Sequence, residues 1–335
     1  MAIETRAFAR AGLLGNPSDG YFGKIIALTV KNFSARVFLE ESPELKILPS
    51  YQEKNVYKNI DDLVKRIQLF GYYDGTRLLK ATITKFYDYC RIHSIELESK
   101  NFSIRYETTI PRQLGLGGSS AIITAAMRAL MEFYDVDIPK DIQPSLILDA
   151  ELKELDINAG YMDRVVQVYE GCVYMDLDKD FIKEKGHGIY EKIDLSLLPD
   201  FYLAYKSDLG KVSGKVLNDI RKGYETGDRH TISTLNRLAD IAQEGKTALE
   251  HGEKNIFFDL MNLNFDLRSK IMIITETNKE LIQAARRCGA SAKFAGSGGS
   301  IIGMYRGEDM FDLLVSELGK LQAEVIHPLS NLNNS

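Results

Sequence analysis

Pro111-Arg112-Gln113-Leu114-Gly115-Leu116-Gly117-Gly118-Ser119-Ser120-Ala121 runs a glycine-rich turn straight into the hydroxyl-bearing start of an apolar helix. Residues 102–106 before it alternate apolar and polar as a strand does, and Ile122, Ile123, Ala126, Leu130 and Phe133 after it recur at helical spacing. Strand, glycine turn and helix in that order make an anion cradle. Glycine lets backbone approach an anion closely, and the unpaired N–H groups and positive dipole end of the helix point at it. The plainer reading is a turn in which Ser119 or Ser120 serves only as a helix N-cap. Two better-known phosphate loops are excluded. A Walker loop needs glycine five residues before its Gly-Lys-Thr ending, and Gly245-Lys246-Thr247 has Asp240 there; a dinucleotide fingerprint needs a third glycine where the chain has Ser120.

The 335 residues suffice for two lobes with apolar cores. A formal charge of −5 gives no broad basic field, so a small-molecule partner is expected rather than nucleic acid or an anionic membrane. Cys90, Cys172 and Cys288 are odd in number and widely spaced, as reduced core thiols of a cytoplasmic protein would be. No apolar run approaches a membrane span. The expected class is α+β. Strands are expected over 7–14, 25–30 and 35–39, and helices over 61–70 and 78–93. Further strands are expected over 171–176 and 201–205. The second half reads as helices over 216–251, 256–271, 279–288 and 310–321, with strands near 292–294 and 301–305. The boundary is placed between residues 1–198 and 199–335, and the tail 331–335 is polar enough to fray.

Three acids stand out. Glu151 falls among Leu148, Leu152 and Leu155 on a helical stripe, which aims a carboxylate inward. Such an acid needs a cation: either Mg²⁺, shared with a Ser119 or Ser120 hydroxyl beside nucleotide phosphates, or a buried arginine. Asp163 lies in the first turn of a helix marked by Met162, Val165, Val166 and Tyr169. It either pairs with the dipole or positions a hydroxyl for attack on a γ-phosphorus. Asp19 sits in a glycine-punctuated loop as a turn former does. Arg10, in the strand before it, is suited to holding phosphate charge or keeping an acid ionised. A second cluster, Gly296-Ser297-Gly298-Gly299, is either an ordinary loop or backbone lying close to a ligand. The five histidines show no metal-ligand or triad spacing.

Residues 111–121, 296–299 and 10–19, in that spacing, resemble the motifs of the GHMP superfamily of small-molecule kinases. The resemblance implies a GHMP fold, with an N-terminal lobe like ribosomal protein S5 domain 2 and a ferredoxin-like C-terminal lobe. It implies ATP bound by Pro111, Gly115, Leu116, Gly117, Gly118, Ser119, Ser120 and Ala121, Mg²⁺ held by Ser120 and Glu151, Asp163 as catalytic acid residue and Arg10 beside it. Asp19, Tyr21, Lys24, Gly296, Ser297 and Gly298 fall on the substrate side. Longer runs, residues 15–19, 21–23, 110–122, 186–190, 196–199 and 261–266, are similar to the branch that phosphorylates the anomeric hydroxyl of a sugar acid, D-glucuronate. Asn16-Pro17 departs from the acid and histidine of galactokinases, which disfavours galactose. For a substrate carboxylate, Lys24, Arg112, Arg164 and Lys293 are the candidate cations. Kinases of other sugars or sugar phosphates, and a silent sensor of the same fold, are the alternatives.

Overall fold

Ala2–Leu14 forms strand β1 and Lys24–Ser42 strand β2 in a computed structural model that describes residues 2–49, 75–206 and 220–329. The two pair antiparallel from Ala2↔Glu40 to Leu14↔Ile26. Residues 25–30 and 35–39, expected as separate strands, are one continuous strand. The intervening Lys31, Asn32 and Phe33 are taken up by a register shift opposite Phe8 and Ala9, a bulge rather than a turn. β4 (Asn101–Thr108) pairs with the far half of β2, and β5 (Cys172–Asp176) with its near half. The short β3 (Lys46–Ile47), parallel to β4, and β6 (Ile189–Ile193), antiparallel to β5, complete six strands.

β1 alternates buried and exposed residues at its start, then is buried without a break from Ala9 to Leu14. Helices cover that stretch. α1 (Thr76–Ile92), α2 (Gly118–Tyr134), α3 (Gln143–Leu152) and α4 (Met162–Tyr169) pack together, with α2 and α4 lying on β1 and β2. A helix with neighbours on most sides must be apolar on most sides, and α2 buries eleven of its residues from Ser120 to Phe133. α5 (Lys179–Lys185) leads from β5 to β6.

The chain changes sheets between Ile193 and Phe201. β7 (Phe201–Tyr205), β8 (Lys293–Phe294), β9 (Ser300–Met304) and β10 (Glu324–Ile326) form an antiparallel sheet in the order β10-β7-β9-β8. That is the strand order of a ferredoxin-like βαββαβ unit. α6 (Arg229–Glu250), α7 (Lys254–Arg268), α8 (Glu276–Arg287) and α9 (Glu308–Lys320) accompany it. Residues 220–225 are helical, 226 and 227 form a turn, and the Asp228 side chain caps α6 by accepting from Thr231 N at 2.8 Å, so the helix expected over 216–251 is broken before Arg229. Part of that expectation, and those for 61–70 and 331–335, lie outside the described residues.

The lobes share a core. Leu13, Leu28, Ile123 and Leu130 of the first belong to one apolar cluster with Phe201, Phe257, Met261, Ala295 and Ile302 of the second. Tyr202, Leu281, Phe294 and Leu314 belong to a smaller one beneath the second sheet. The three cysteines are buried and unpaired, as expected. Among the described residues no helix is long and apolar enough to cross a membrane, and no three His, Cys, Asp or Glu side chains gather as a metal site.

Glycine tests the packing of the second sheet. A Cβ on Gly303, in β9, would meet the Ser291 backbone carbonyl, whereas one on Gly319, in α9, would meet nothing within 4 Å. Gly303→Ala should therefore lower stability by roughly 1–3 kcal/mol, and Gly319→Ala should raise it by up to about 1 kcal/mol. Urea unfolding midpoints check both; equal effects would mean that the strand has room to give.

Candidate active site

The turn before α2 is closed by backbone rather than by a hydroxyl. Gly117, at φ 75°, is the N-cap, and no side chain caps the helix. Ser119 and Ser120 lie inside the first turn, so the expectation that one of them is only an N-cap does not describe this helix. The Gly117 carbonyl accepts from Ala121 N at 3.0 Å, from Gln167 Nε2 at 2.8 Å and from Ser120 Oγ at 3.0 Å. The amides of Gly118, Ser119 and Ser120 precede the first intrahelical bond and are the donors a helix start offers to an anion.

Behind this turn, β1 and α4 bring Arg10 and Asp163 together. Arg10 Nε donates to Asp163 Oδ1 at 2.6 Å, and Nη2 lies 2.5 Å from the same oxygen. Nη1 donates to Gly115 O at 2.6 Å and reaches Ala295 O at 3.4 Å. Oδ1 is thus committed to the guanidinium. Oδ2 faces Ser120 Oγ at 3.4 Å, beside Gly117, where a Cβ would sit 3.1 Å from it. Glycine at 117 keeps that carboxylate edge clear.

Glu151 is buried, as its inward aim required, but the stripe differs from the expected one. Leu148 is buried while Leu152 is exposed and Leu155 lies beyond the helix; Glu151 follows Ile147 and Leu148. Of the two cations expected for it, the arginine is the one in contact. Glu151 Oε2 pairs with Arg164 Nη2, and Oε1 accepts from Ser119 Oγ at 2.8 Å. The serine joined to Glu151 is Ser119, while Ser120 turns to Asp163. A serine hydroxyl and a carboxylate oxygen at an open helix start are a hard-oxygen pair of the kind Mg²⁺ uses beside phosphates, so the residues fit that ion.

Asp19 lies on the opposite side of Met162, whose N–H it accepts at 3.2 Å. Burial, and then the Asp163 charge, push its carboxyl above the usual carboxylate range. A Cβ on Gly160 would collide with Asp19 Oδ2, so that glycine admits the acid. Tyr21 packs its ring 4.8 Å from Tyr224, and burial followed by the Asp19 charge raises its phenol to about 12. Lys24 is not brought to this group. Its Nζ meets Asp176 at 3.4 Å and Gln243 at 3.3 Å. Pro111 is half-buried, Arg112 exposed, and Leu116 and Ala121 buried in the core behind the turn.

The 296–299 loop joins β8 to β9, and what lies against it is the first glycine turn. A Cβ on Gly296 would collide with Gly115 O, and one on Gly115 would sit 2.7 Å from Ser297 N and 2.9 Å from Gly298 O. Ser300 Oγ donates to Leu114 O at 2.6 Å. The glycines of the second lobe thus allow backbone to lie on backbone, bracing the cradle.

Gln167 and Arg268 escaped the sequence reading, and Asn16 and Asn264 entered it only through the family resemblance. Gln167 orients the Gly117 carbonyl; Asn264 accepts from Gly15 N at 2.7 Å and donates to Asn16 O at 3.2 Å. Arg268 donates to Gly296 O at 2.7 Å, and the Asn16 side chain is buried. The signal was present for two of them. Asn264 and Arg268 continue the buried face Phe257, Met261 of α7 and are polar where the period demands apolar.

Residues 77–171 match the family model for the GHMP kinases N terminal domain. Glucuronokinase 1 of Arabidopsis thaliana is 45% identical over 307 residues, covering 90% of this chain and 84% of its own length. The probable glucuronokinase 2 of the same plant is 44% identical, covering 90% and 83%. A solved structure of a Listeria innocua protein superposes with a TM-score of 0.80 over 97% of both chains at 16% identity, which speaks for the fold alone. With a glycine turn, an arginine-held aspartate and a braced second glycine loop assembled on this α+β scaffold, the chain belongs to the GHMP kinases, and to the part of that family that includes the glucuronokinases.

Proposed function

We propose that the protein is an ATP-dependent sugar-acid 1-kinase that converts D-glucuronate and ATP to D-glucuronate 1-phosphate and ADP. The observation that carries the reading is the full-length similarity to glucuronokinases together with Asp163, held by Arg10 at the mouth of an open helix start. ATP phosphates lie against the amides of residues 115–120, where the dipole of α2 and the glycine backbone favour their charge. The anomeric hydroxyl oxygen attacks the γ-phosphorus in line, the bond to the β,γ-bridging oxygen breaks, and ADP departs. Asp163 Oδ2 takes the hydrogen bond of that hydroxyl and aligns it, and the hydroxyl proton leaves through this carboxylate or water. Arg10 fixes the carboxylate and adds positive charge where phosphoryl charge collects. Glu151 with the Ser119 and Ser120 hydroxyls would hold Mg²⁺, which would neutralise phosphate charge there. Asp19 binds a sugar hydroxyl from the other side, and residues 1–198 and 199–335 act as the two walls of the cleft.

Sugar 1-phosphate formation from ATP and Mg²⁺ against D-glucuronate, D-galacturonate, glucose, galactose and a heptose 7-phosphate tests the substrate. D-Glucuronate should be used selectively, and silence across the panel with nucleotide still bound would favour a sensor. Asp163→Asn keeps an acceptor for Arg10, so it should fold, keep nucleotide affinity within a few-fold and lose about 10²–10⁴ in kcat. Near-normal turnover would remove Asp163 from the mechanism.

Ser119→Ala and Ser120→Ala separate the two hydroxyls. Each spares the Glu151–Arg164 pair, and the one whose hydroxyl binds the ion should raise half-saturating Mg²⁺ by roughly tenfold. If neither moves it, the ion is held elsewhere.

Asp19 connects function with stability. Because its carboxyl is raised in the folded chain, the protonated form stabilises the fold; that contribution is complete below the ordinary carboxylate range and is lost as pH rises through the raised value. Asp19→Asn mimics the protonated form at every pH. It should be more stable than the parent at pH 8, with the gap closing toward about pH 4, and raise the sugar KM by roughly tenfold or more. A variant no more stable at pH 8, with unchanged KM, would contradict both roles.

A further inference from the structure

We propose that Arg268 binds the carboxylate of the sugar acid and thereby sets the preference of this site for an acid over a neutral sugar; the inference rests on the kinase reading above. Among the described residues, the other candidate cations have partners or face solvent. Arg10 is bound to Asp163 and two carbonyls. Arg164 is paired with Glu151 and donates to Gly160 O at 2.6 Å. Lys24 belongs to Asp176, and Arg112 points to solvent. Lys293 gives its ammonium to Gly12 O at 2.5 Å and Phe294 O at 2.8 Å, and burial drives it toward the neutral amine.

Arg268 differs from all of these. It is 2% exposed at the end of α7, with its guanidinium 5.3 Å from the Phe294 ring centroid. Nη1 donates to Gly296 O and Nε faces the weak acceptor Met272 Sδ at 3.0 Å. No carboxylate lies within ion-pair distance among the described residues, and Nη2 has no protein partner there. Burial lowers this guanidinium to about 10, so it stays charged at neutral pH. A buried cation that Asp19 attracts only from beyond ion-pair contact is costly to hold, and an anion arriving with the ligand lowers that cost.

Its position suits that role. Gly296 separates Arg268 from Arg10: one guanidinium holds the glycine carbonyl, and the other would lie 2.8 Å from a Cβ at that residue. Asn264, one turn earlier on the same face of α7, holds the backbone of Asn16. The Asn16 side chain is 2% exposed, and neither its Nδ2 nor its Oδ1 has a partner. It lies beside Gly12 and Met162, the residue whose amide binds Asp19. An uncommitted guanidinium, an unsatisfied amide and an acid around one wall complement a polyhydroxy monoacid. A phosphorylated sugar would bring a second negative charge for which the wall holds no further free cation among the described residues.

The test compares D-glucuronate with its neutral isostere D-glucuronamide at saturating ATP and Mg²⁺, in the parent enzyme, Arg268→Lys and Arg268→Gln. Arg268→Gln should lower kcat/KM for the acid by about 10²-fold, mainly through KM, and leave the amide within a few-fold, so that the preference collapses. Arg268→Lys should restore part of it. The KM for ATP should stay constant in all three. An equal fall for acid and amide would assign Arg268 only to holding the Gly296 loop, and a preference retained in Arg268→Gln would place the carboxylate elsewhere; either overturns the proposal. Calorimetric binding of D-glucuronate reads the same difference without turnover. A parent protein that binds the acid through Arg268 but does not phosphorylate it removes the kinase reading and keeps this one, and a parent that does not bind it overturns this one.

Discussion

Burying the Arg10 guanidinium in the middle of β1 obliges the rest of the site to form around it. An arginine cannot shed its charge at neutral pH, and taking it out of water is tolerable only where carboxylate and carbonyl oxygens replace the water. Those oxygens come from Asp163, Gly115 and Ala295, residues 153, 105 and 285 positions away in the chain. The strand therefore cannot be buried until α4, the first glycine turn and the second lobe have all arrived. One electrostatic requirement aligns the Asp163 carboxylate, fixes the first glycine turn and draws the lobes together.

The glycines follow from the same closeness. Gly115 and Gly296 face each other with no room for a Cβ on either, and Gly117 presses against both Gln167 and Asp163. Ser300 and Arg268 tie the same two turns through Leu114 O and Gly296 O. A phosphate cradle made of loop backbone would ordinarily be soft. Here a second strip of backbone backs it, and the anion meets amides already held in place, which is the condition for electrostatic stabilisation without reorganisation.

How far the sequence revealed this depended on whether the cause was local. The strand, turn and helix around residues 111–121 were legible because glycine, hydroxyl and helical period lie within one short stretch. Asp163 was legible as a first-turn acid for the same reason. The inward aim of Glu151 was correct, yet its face was misread: Leu152 is exposed, and nothing in α3 alone tells which leucines meet α1 and α2. The join of residues 25–30 and 35–39 into one strand is decided by β1, a partner whose bulge absorbs Lys31 to Phe33. The bracing role of 296–299 depends on contact with Gly115, which no spacing within the β8–β9 loop encodes, and the period of α7 marks Arg268 as a polar break in a buried face without revealing its partner Gly296. Lys24 shows the converse: close in sequence to Asp19, it is carried by β2 to Asp176 instead.

The free site is not electrically balanced, and the imbalance indicates what it is built to receive. Arg10, Arg164, Arg268 and Lys293 are buried cations; Asp19, Glu151 and Asp163 are the carboxylates that answer them. Burial pushes Lys293 toward the neutral amine and Asp19 toward the neutral acid. Asp163 and Glu151 already pair with Arg10 and Arg164, whereas Arg268, bound to Gly296 O, feels the Asp19 charge without an ion pair. Phosphate charge has its own donors at the start of α2. A cation left without an ion pair on the opposite wall calls for an anion on the other reactant, and a monoanionic sugar acid brings one charge to it.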